Sequence, residues 1–410
     1  MNAAGSGFGN GAGNRIVAGD RATTWGALLA DPPSWTHAGP LAVLTDGHAD
    51  AAAALAHHVA SGRDILIAST ARVDDTERAA LRADGFSLRI DGGMLAPNGP
   101  AAAERGHVWI LTSGSTGRPK RVPHTLTSLA TVGGDQPERT WLCPYSPGTY
   151  AWWQVMMLTL TVPGQHVVTV EPDDLDSWPE RAARHGVTAV SGTPTFWRQT
   201  LFRSGGDVAG LPLSQATLGG EPVDQAILDR LATTFPGARI SWIYASSEVG
   251  AAIAVHDGRA GFPRAWLDRD DPDRPRLSLD GDELVVASPH ATAGRTGPVH
   301  TGDRVEISGD RVHITGRRDT DEINVGGSKV SAGTVRNVLL GHDRIQWVRV
   351  TGRRAPLVGR IVTADIVADG GLTEADVLAW AGARLPEYAL PRRIRLLAEI
   401  PMKETLKSDV

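Results

Sequence analysis

The sequence is poor in several features that mark other classes of protein. Its 410 residues contain one cysteine, Cys143, which excludes an internal disulfide or a cysteine metal cluster and is typical of a reducing cytoplasm. Neither H-E-x-x-H nor C-x-x-C occurs, so we predict no zinc site. The net charge of −5 provides no basic surface for nucleic acid or an anionic membrane.

Long hydrophobic runs are also missing. The longest, residues 151–162, is too short to cross a bilayer and contains Gln154, so no membrane span is predicted. Residues 1–14 are rich in Gly, Asn and Ala, without the basic start and apolar core of a secretory signal, and we expect a disordered tail there. With 41% hydrophobic and 21% charged residues, the chain has a globular composition and length for two or three units.

Lysine is rare, and its positions are therefore informative. The only lysines are Lys120, Lys329, Lys403 and Lys407, while arginine supplies the rest of the positive charge. Arginine is a broad planar fork, whereas lysine is a slim point charge that fits between phosphate oxygens or into a narrow tunnel. Lysine positions are thus candidates for functional sites.

Short apolar runs alternate with stretches at helical spacing over the first two thirds of the chain, as in 41–44 before 51–60, 65–68 before 75–83, and 167–170 before 178–185. This alternation predicts βαβ units, with mostly parallel sheets covered by helices. From about residue 281 short strands and turns follow, and after Gly316 a smaller pattern begins. We place a domain boundary at 318–319, between a large domain (15–318) and a small one (319–410).

A glycine- and hydroxyl-rich loop follows a short apolar run at 108–111, which predicts a strand leading into the loop. Glycines allow backbone N–H groups to converge on an anion, hydroxyls donate to phosphate oxygens, and lysine adds a compact charge. The loop therefore suits a polyphosphate, and a flexible Gly/Ser linker is the alternative. The residues predicted to bind it are Thr112, Ser113, Gly114, Ser115, Thr116, Gly117 and Lys120.

The loop does not fit the P-loop pattern G-x-x-x-x-G-K-[ST], because Arg121 follows Lys120. It resembles the phosphate loop of the adenylate-forming superfamily, Thr-Ser-Gly-(Ser/Thr)-Thr-Gly-x-Pro-Lys, at every fixed position. That superfamily contains acyl-CoA synthetases, peptide-synthetase adenylation domains and luciferases. The resemblance covers about residues 105–410. It implies an α/β fold: a large N-terminal domain of βαβ subdomains with a β-rich part, shortened at its start, and a small mobile α+β C-terminal domain.

A second motif, residues 244–248, follows the predicted strand 239–243, and parallel sheets bind ligands beyond the carboxyl ends of their strands. The superfamily has Tyr-Gly-x-Thr-Glu here. The resemblance implies that Tyr244 packs on adenine, that Ser247 contacts the α-phosphate and that Glu248 contacts Mg²⁺. Ala245, in place of the usual glycine, and Ser246 complete this nucleotide-binding segment. A solvated loop carboxylate is the alternative for Glu248.

Three shorter motifs complete the nucleotide site by resemblance. Asp303 of Thr-Gly-Asp accepts both ribose hydroxyls, since a carboxylate can accept two donors side by side. Arg317 of Gly-Arg-Arg-Asp reaches the nucleotide, and Asp319 is the hinge between domains. A glycine pair ends an apolar run at 216–218, where a flat ring can approach the backbone, and this segment is assigned to the nucleotide through Gly220, Glu221 and Pro222.

The small domain contributes two further motifs by resemblance. Gly326 and Gly327 are similar to a loop that lines a thiol tunnel once the small domain rotates. Lys407 matches the catalytic lysine of Pro-x-x-x-x-Gly-Lys, with Leu406 in place of glycine, and bridges the acid carboxylate and the α-phosphate. Because Lys407 lies three residues before Val410, we expect fraying there, and a plain surface lysine is the alternative.

The acid is expected where relatives have their pocket wall. Aromatic side chains there suit an aryl or medium acyl group, although plain core packing is as good an interpretation. The predicted pocket residues are Tyr145, Trp152, Trp153, Phe196 and Gly219.

Taken with the resemblance, these motifs predict an ATP- and Mg²⁺-dependent ligase with two steps. A carboxylate attacks the α-phosphorus of ATP, which gives an acyl-adenylate and pyrophosphate, and a thiol then takes the acyl group. Coenzyme A is the favoured acceptor. The alternatives are a free-standing acyl or peptidyl carrier protein, an amine, activation of another oxyanion such as nitrite, and a non-catalytic nucleotide-binding module.

Overall fold

Four sheets organise the part of the chain that the computed structural model describes. The described residues are 9–100, 103–112, 119–271, 274–295, 297–317, 321–355, 359–403 and 405–408.

Within these residues the strands are, in chain order, β1 (Arg15–Ala18), β2 (Arg21–Thr24), β3 (Leu41–Leu44), β4 (Ile65–Ala68), β5 (Ser87–Ile90), β6 (Gly93–Leu95), β7 (Val108–Thr112), β8 (Lys120–His124), β9 (Arg139–Cys143), β10 (Gln165–Thr169), β11 (Ala189–Gly192), β12 (Gln215–Gly219), β13 (Arg239–Ser246), β14 (Gly250–Val255), β15 (Phe262–Pro263), β16 (Arg276–Asp280), β17 (Glu283–Ala287), β18 (Val299–Ser308), β19 (Arg311–Arg317), β20 (Glu322–Val325), β21 (Ser328–Ser331), β22 (Ile345–Ala355), β23 (Gly359–Ala368) and β24 (Arg393–Leu397).

The α-helices of the same residues are α1 (Trp25–Ala30), α2 (His48–Ser61), α3 (Asp75–Ala83), α4 (Leu126–Leu129), α5 (Tyr150–Thr161), α6 (Trp178–His185), α7 (Pro194–Ala209), α8 (Gln225–Thr234), α9 (Ala332–Leu340) and α10 (Glu374–Gly382). Several begin at side-chain caps: Asp74, Thr149, Thr193 and Asp224 each accept a hydrogen bond from a backbone N–H in the first turn. No helix in the described ranges has the length and apolar character needed to cross a bilayer.

The largest sheet has its strands in the order β14-β13-β12-β11-β9-β10-β1-β2. Its central pairings are parallel, and β14 and β2 pair antiparallel at the two edges. A second sheet, β6-β5-β3-β4-β7-β8, is parallel at its centre and ends in the β7–β8 hairpin. The runs 41–44 and 65–68 are buried throughout because helices cover both faces of a parallel sheet. The predicted α/β class with mostly parallel sheets is confirmed.

The β-rich part is an antiparallel sheet, β15-β19-β18-β17-β16, and it lies where short strands were predicted. The last sheet, β21-β20-β23-β22 with β24 beside β23, has its own core of residues between Ile323 and Ile394. The separate core supports the proposed small domain. Its boundary stays a proposal, because residues 318–320, including the predicted hinge Asp319, lie outside the described residues.

The last residues of the expected N-terminal tail are packed against α5. The amide of Gly11 donates to the carbonyl of Leu160 at 3.1 Å, and the Asn14 side chain donates to the carbonyls of Thr159 and Val162 at 2.7 and 2.6 Å. A Cβ at position 11 would lie 2.3 Å from the Thr159 carbonyl oxygen, so this approach requires glycine. The expectation of disorder is wrong for residues 11–14, whose small and polar side chains serve close contact.

Candidate functional site

Several of the predicted site residues, among them Gly219 and Tyr244, lie at the carboxyl edge of the largest sheet. There β9, β11, β12 and β13 end side by side, and Gly219 is the register partner of Ile243, the residue before Tyr244. This is the position at which open α/β sheets bind ligands. One detail differs from prediction: β13 continues to Ser246, so residues 244–246 pair with β14 and are not a free loop.

Three predicted nucleotide residues form one cluster. The Tyr244 hydroxyl donates to Asp303 Oδ2 at 2.5 Å, and Arg317 Nε lies 3.3 Å from Asp303 Oδ1. Asp303 and Arg317 are register partners on β18 and β19. Burial raises the pKa of Asp303, while Tyr244 and Arg317 oppose that effect. Burial and the neighbouring carboxylate raise the pKa of Tyr244, so its hydroxyl stays a donor.

The turn before Asp303 explains why glycine precedes it. Gly302 has φ +74°, a left-handed value that favours glycine. Its amide donates to Glu283 at 2.9 Å, and the Thr301 hydroxyl accepts from the Asp303 amide at 3.1 Å. The Thr-Gly-Asp motif is thus a local device that directs the Asp303 carboxylate toward Tyr244.

The segment after Tyr244 uses its side chains in different ways. Ser246 Oγ accepts from the amides of Glu248 and Val249, both at 3.3 Å, so this side chain holds the turn. The Ser247 carbonyl is 2.8 Å from Nε2 of His124. The Glu248 carboxylate has no hydrogen bond or ion pair with the described residues, and it remains available for a ligand.

Whether the residues of the site fit a Mg²⁺ ion depends on Glu248. No group of three or more His, Cys, Asp or Glu side chains suited to a metal ion occurs within the described residues. Mg²⁺ is commonly held by one or two carboxylates, substrate phosphates and water. A single carboxylate without a partner among the described residues fits that pattern, with Glu248 as the protein ligand.

The ends of the phosphate loop meet at the β7–β8 hairpin. Thr112 and Lys120 are register partners across it, and Lys120 is exposed. Five of the predicted phosphate-binding residues lie outside the described residues: Ser113, Gly114, Ser115, Thr116 and Gly117. Beside the hairpin, Arg72 donates to the carbonyl of Leu111 at 2.7 Å, which brings a further guanidinium to the base of this loop.

Lys407 reaches the glycine segment that follows β12. A Cβ placed on Gly220 would lie 3.0 Å from Lys407 Cε and 3.3 Å from Nζ, so the missing side chain at position 220 leaves room for the lysine. Part of the residue is exposed, while Cε and Nζ lie close to Gly220. Desolvation there, with the charges of Arg72 and Arg317, lowers the pKa of Lys407, and Glu221 opposes this shift.

The backbone around Lys407 is held firmly, against the expectation of fraying. The Lys407 carbonyl accepts from the Lys403 amide at 2.7 Å, and Thr193 Oγ1 donates to the carbonyl of Leu406. Leu406 has φ +60°, at the position where the superfamily pattern has glycine. The left-handed conformation costs about 1–2 kcal/mol, whereas burying a leucine contributes about 1.5–3 kcal/mol. Because Leu406 is only 3% exposed, its burial offsets the strain.

The Glu221 side chain is held by protein groups, and its assignment to the nucleotide stays a prediction. Its carboxylate accepts from the Thr195 amide at 2.9 Å and the Thr195 hydroxyl at 3.0 Å, at the start of α7. It also accepts from the Ser408 amide at 2.8 Å. The carboxylate is therefore used by the protein itself, in a favourable position at a helix N-terminus. The Gly220 and Pro222 assignments stay predictions.

The aromatic side chains predicted for the acid pocket are all buried. Burial lowers the pKa of His48 to about 4, so its neutral ring accepts from the Trp152 indole at 3.2 Å, and Trp152 is structural core. Phe196 packs on Trp178 and Trp197 and is core as well. Both side chains pack against neighbouring elements, and their assignment to the acid pocket stays a prediction.

Two other predicted pocket aromatics, Tyr145 and Trp153, are also buried. Tyr145 follows β9, and its hydroxyl lies 3.1 Å from Ser191 Oγ. Burial is the main cause of its raised pKa, and the charge of Glu221 contributes to it. Trp153 is fully buried, and its indole N–H has no hydrogen-bond partner among the described residues. The assignment of Trp153 to the acid pocket stays a prediction.

The glycine pair assigned to a thiol tunnel forms the two-residue turn between β20 and β21. Gly326 and Gly327 have φ values of +58° and +95° and are exposed. The Gly327 amide donates to the Asn324 side chain at 2.9 Å, which fixes the turn. The hairpin is exposed, and its assignment to a thiol tunnel stays a prediction.

Sequence reasoning missed His124, Arg72 and Ser408. His124 is buried behind Ser247 and Glu248, and burial lowers its pKa. A signal for it was available, since His124 ends the strand that begins at Lys120. Arg72 and Ser408 carry no comparable signal, because each acts through a contact far away in the sequence.

Comparison with known proteins agrees with the arrangement. The model of the AMP-binding enzyme family matches residues 35–314, and the model of the AMP-binding enzyme C-terminal domain matches residues 335–407. A 2-succinylbenzoate–CoA ligase of Bacillus cereus is 25% identical over 329 residues, 73% of this chain and 67% of that protein.

Solved structures share the fold. The anthranilate CoA ligase AuaEII in complex with anthranoyl-AMP has a TM-score of 0.76 at 16% identity, over 97% of this chain and 92% of that one. The amide bond synthetase McbA of Marinactinospora thermotolerans has a TM-score of 0.72 at 20% identity, over 98% and 96%. The predicted enzyme class, an AMP-forming acid–thiol ligase, is confirmed by the family and its CoA-ligase relatives. The chain belongs to the AMP-binding enzymes, the adenylate-forming superfamily that its motifs predict.

Proposed function

We propose that this enzyme activates a small carboxylic acid with ATP, releases pyrophosphate, and transfers the acyl group to the thiol of coenzyme A. The observation that carries the proposal is the position of Lys407, whose ammonium lies against Gly220. Arg317 lies near enough for its charge to lower the pKa of Lys407, and the same residue pairs with Asp303. A nucleotide held by Tyr244, Asp303 and Arg317 thus has its α-phosphate within reach of the lysine.

In the first step the acid carboxylate attacks the α-phosphorus of ATP. A P–O bond to the acid forms, the bond to the β-phosphate bridging oxygen breaks, and pyrophosphate leaves with that electron pair. Such transfers depend mainly on positioning and charge stabilisation. Lys407 neutralises charge between the carboxylate and the α-phosphate, Lys120 and Arg72 lie toward the phosphates, and Asp303 holds the ribose. Mg²⁺, with Glu248 as its ligand, supplies further neutralisation of phosphate charge when bound.

In the second step a thiol attacks the acyl carbonyl, a C–S bond forms, and AMP leaves with the anhydride oxygen while the thiol proton passes to solvent. For this step the thiol must reach the acyl carbonyl from the side that Lys407 occupies in the first step. The exposed Gly326–Gly327 hairpin is our candidate for replacing Lys407 after rotation about Asp319. ATP and coenzyme A as cosubstrates have support from the family and the named relatives, and Mg²⁺ rests on Glu248 alone.

We propose that the carboxylic acid substrate carries an aryl or medium acyl group. The named CoA-ligase relatives act on 2-succinylbenzoate and anthranilate, which are aryl acids. In this chain Tyr145, Gly219 and Trp153 are the proposed wall, with the Trp153 N–H as a donor for a polar group on the acid. The assignment of Trp152 and Phe196 to this wall stays a prediction, and the proposal does not depend on them.

The acceptor has alternatives that the same first step serves. A carrier protein or an amine could receive the acyl group, and an amide bond synthetase shares the fold. Pyrophosphate release from a panel of aryl and aliphatic acids, with and without coenzyme A and a primary amine, separates these cases. We expect AMP, pyrophosphate and an acyl-CoA from an aryl acid. Release of ADP and orthophosphate, or no product from any acid, contradicts the proposal.

Replacing Trp153 with phenylalanine is expected to raise the KM for the acid roughly fivefold, because one hydrogen bond is worth about 1 kcal/mol. The KM for ATP should not change. Trp380→Phe is the matched control, since it removes an indole hydrogen bond to Val338 in the small sheet region. An unchanged KM for every active acid would remove Trp153 from the pocket.

Pyrophosphate release is expected to fall as the pH rises. Lys407 acts as a cation, and a pKa below the ordinary lysine value means that its proton is lost at a lower pH than usual. Initial rates against pH should therefore show an alkaline inflection below that ordinary value. Lys407→Arg is the control, because a guanidinium stays protonated. The same profile in both enzymes would contradict this role.

A further inference from the structure

Ser408, the residue after Lys407, joins two parts of the chain. Its side chain accepts from the Trp347 indole at 2.9 Å and lies 2.8 Å from Thr195 Oγ1. Its amide donates to Glu221 at 2.8 Å. We call Ser408 with Thr195, Glu221 and Trp347 the Ser408 anchor. Thr195 and Glu221 belong to the edge of the large sheet, whereas Trp347 lies on β22 of the small sheet.

The surroundings of the anchor are a docking contact between these two parts. Arg198 on α7 donates to the carbonyl of Gln346 at 2.8 Å and pairs with Asp224. A small apolar cluster of Trp347, Val367 and Ile400 contacts Phe202 of α7. The contact therefore combines polar pairs with a small apolar cluster that is separate from the main core of the small sheet. The anchor is its point nearest to Lys407.

We infer that Ser408 is a positioning residue for Lys407, and that the Ser408 anchor selects the arrangement in which the first half-reaction takes place. This rests on the proposed function. The hydroxyl and amide of Ser408 fix the backbone on the carboxyl side of the lysine, while Leu406 and its partner Thr193 fix the other side. Held on both sides, the Lys407 side chain enters the space left by Gly220. Thioester formation needs the anchor to open.

Within the anchor, Glu221 affects both the position and the protonation of Lys407. The charged groups that face Lys407 are Glu221, Arg72 and Arg317, and Glu221 is the one that raises the lysine pKa. Loss of its charge therefore acts twice: it loosens the Ser408 amide, and it lets the lysine lose its proton at a lower pH. Loss of the Ser408 hydroxyl acts on position alone. The two substitutions predict different pH profiles.

The test compares Ser408→Ala and Glu221→Gln with controls at exposed positions of β18, Ser308→Ala and Glu306→Gln. Acyl-adenylate formation is followed by pyrophosphate release, and the second half-reaction by thioester formation from supplied acyl-adenylate. We expect Ser408→Ala to lower kcat of the first half-reaction roughly 10- to 100-fold, as misplacement of a catalytic group does, with the KM for ATP and the second half-reaction unchanged. Glu221→Gln should in addition move the alkaline inflection to lower pH.

A second measurement does not depend on activity. Amide hydrogen exchange of the peptide spanning residues 403–408 should be slow in the wild-type enzyme and faster in both variants, while the controls match wild type. Equal exchange in all proteins, or equal loss of both half-reactions in Ser408→Ala, overturns the anchor. If the wild-type enzyme forms no adenylate from any acid, the proposed function fails, and the exchange result still decides whether the anchor exists.

Discussion

Replacing Lys407 with alanine is expected to slow acid-dependent pyrophosphate release roughly 10²- to 10³-fold, which corresponds to about 3–4 kcal/mol of transition-state stabilisation. The physical reason is that the ammonium is held against Gly220, in a cleft that also contains the charge of Glu221. A preorganised cation at the reacting phosphate requires no reorganisation when charge develops there. Water that fills the space left by the ammonium cannot supply this preorganised charge stabilisation.

The measurement separates the two half-reactions. Thioester formation from supplied acyl-adenylate should be retained in Lys407→Ala, because the proposed second step takes place after the lysine has left. Lys329→Ala is the control for the first step, since Lys329 is 73% exposed and pairs with Glu322. Equal loss of both steps would show that Lys407 supports folding or docking, and not adenylation in particular.

Features that depend on a short, contiguous stretch of residues could be predicted from the sequence. Buried runs such as 41–44 and 65–68 could be identified as strands because helices covering both faces leave no polar position in them. Tyr244, Asp303, Arg317 and Lys407 could be assigned by resemblance because their motifs are short and contiguous. Even there, Tyr244 was expected in a loop but lies in a strand that pairs with β14.

Contacts between distant segments could not be predicted in the same way. Glu221 and Ser408 are separated by 187 residues, and no periodicity links them, so the hydrogen bond between them could not be predicted. Trp152 and Trp153 look alike in the sequence, and only the fold shows that the Trp152 indole donates to His48 whereas the Trp153 indole has no partner among the described residues. Gly11 and Asn14 have the composition of a tail, yet their small size and polar groups serve contact with α5.

Replacing Asp303 with alanine is expected to lower kcat/KM for ATP roughly 10²-fold or more, since each hydrogen bond to a carboxylate contributes about 1.5–3 kcal/mol. The carboxylate already holds Tyr244 and Arg317, and its remaining lone pairs are proposed to accept the ribose hydroxyls. The substitution thus removes the ribose contact and releases the two side chains that shape the nucleotide site. Asp310→Ala is the control, because its exposed pairing with Arg259 lies on the same hairpin.

The ribose itself provides the sharper readout. The wild-type enzyme should use 2′-deoxy-ATP less well than ATP, because one acceptor on Asp303 is then left without its donor. Asp303→Ala should treat the two nucleotides alike, and Asp303→Asn, which keeps one carbonyl oxygen, should fall between. Thermal unfolding of each variant checks that the buried cluster still folds. A variant that folds, loses activity and still discriminates against 2′-deoxy-ATP would place the ribose elsewhere, because a group that has been removed cannot account for the preference that remains.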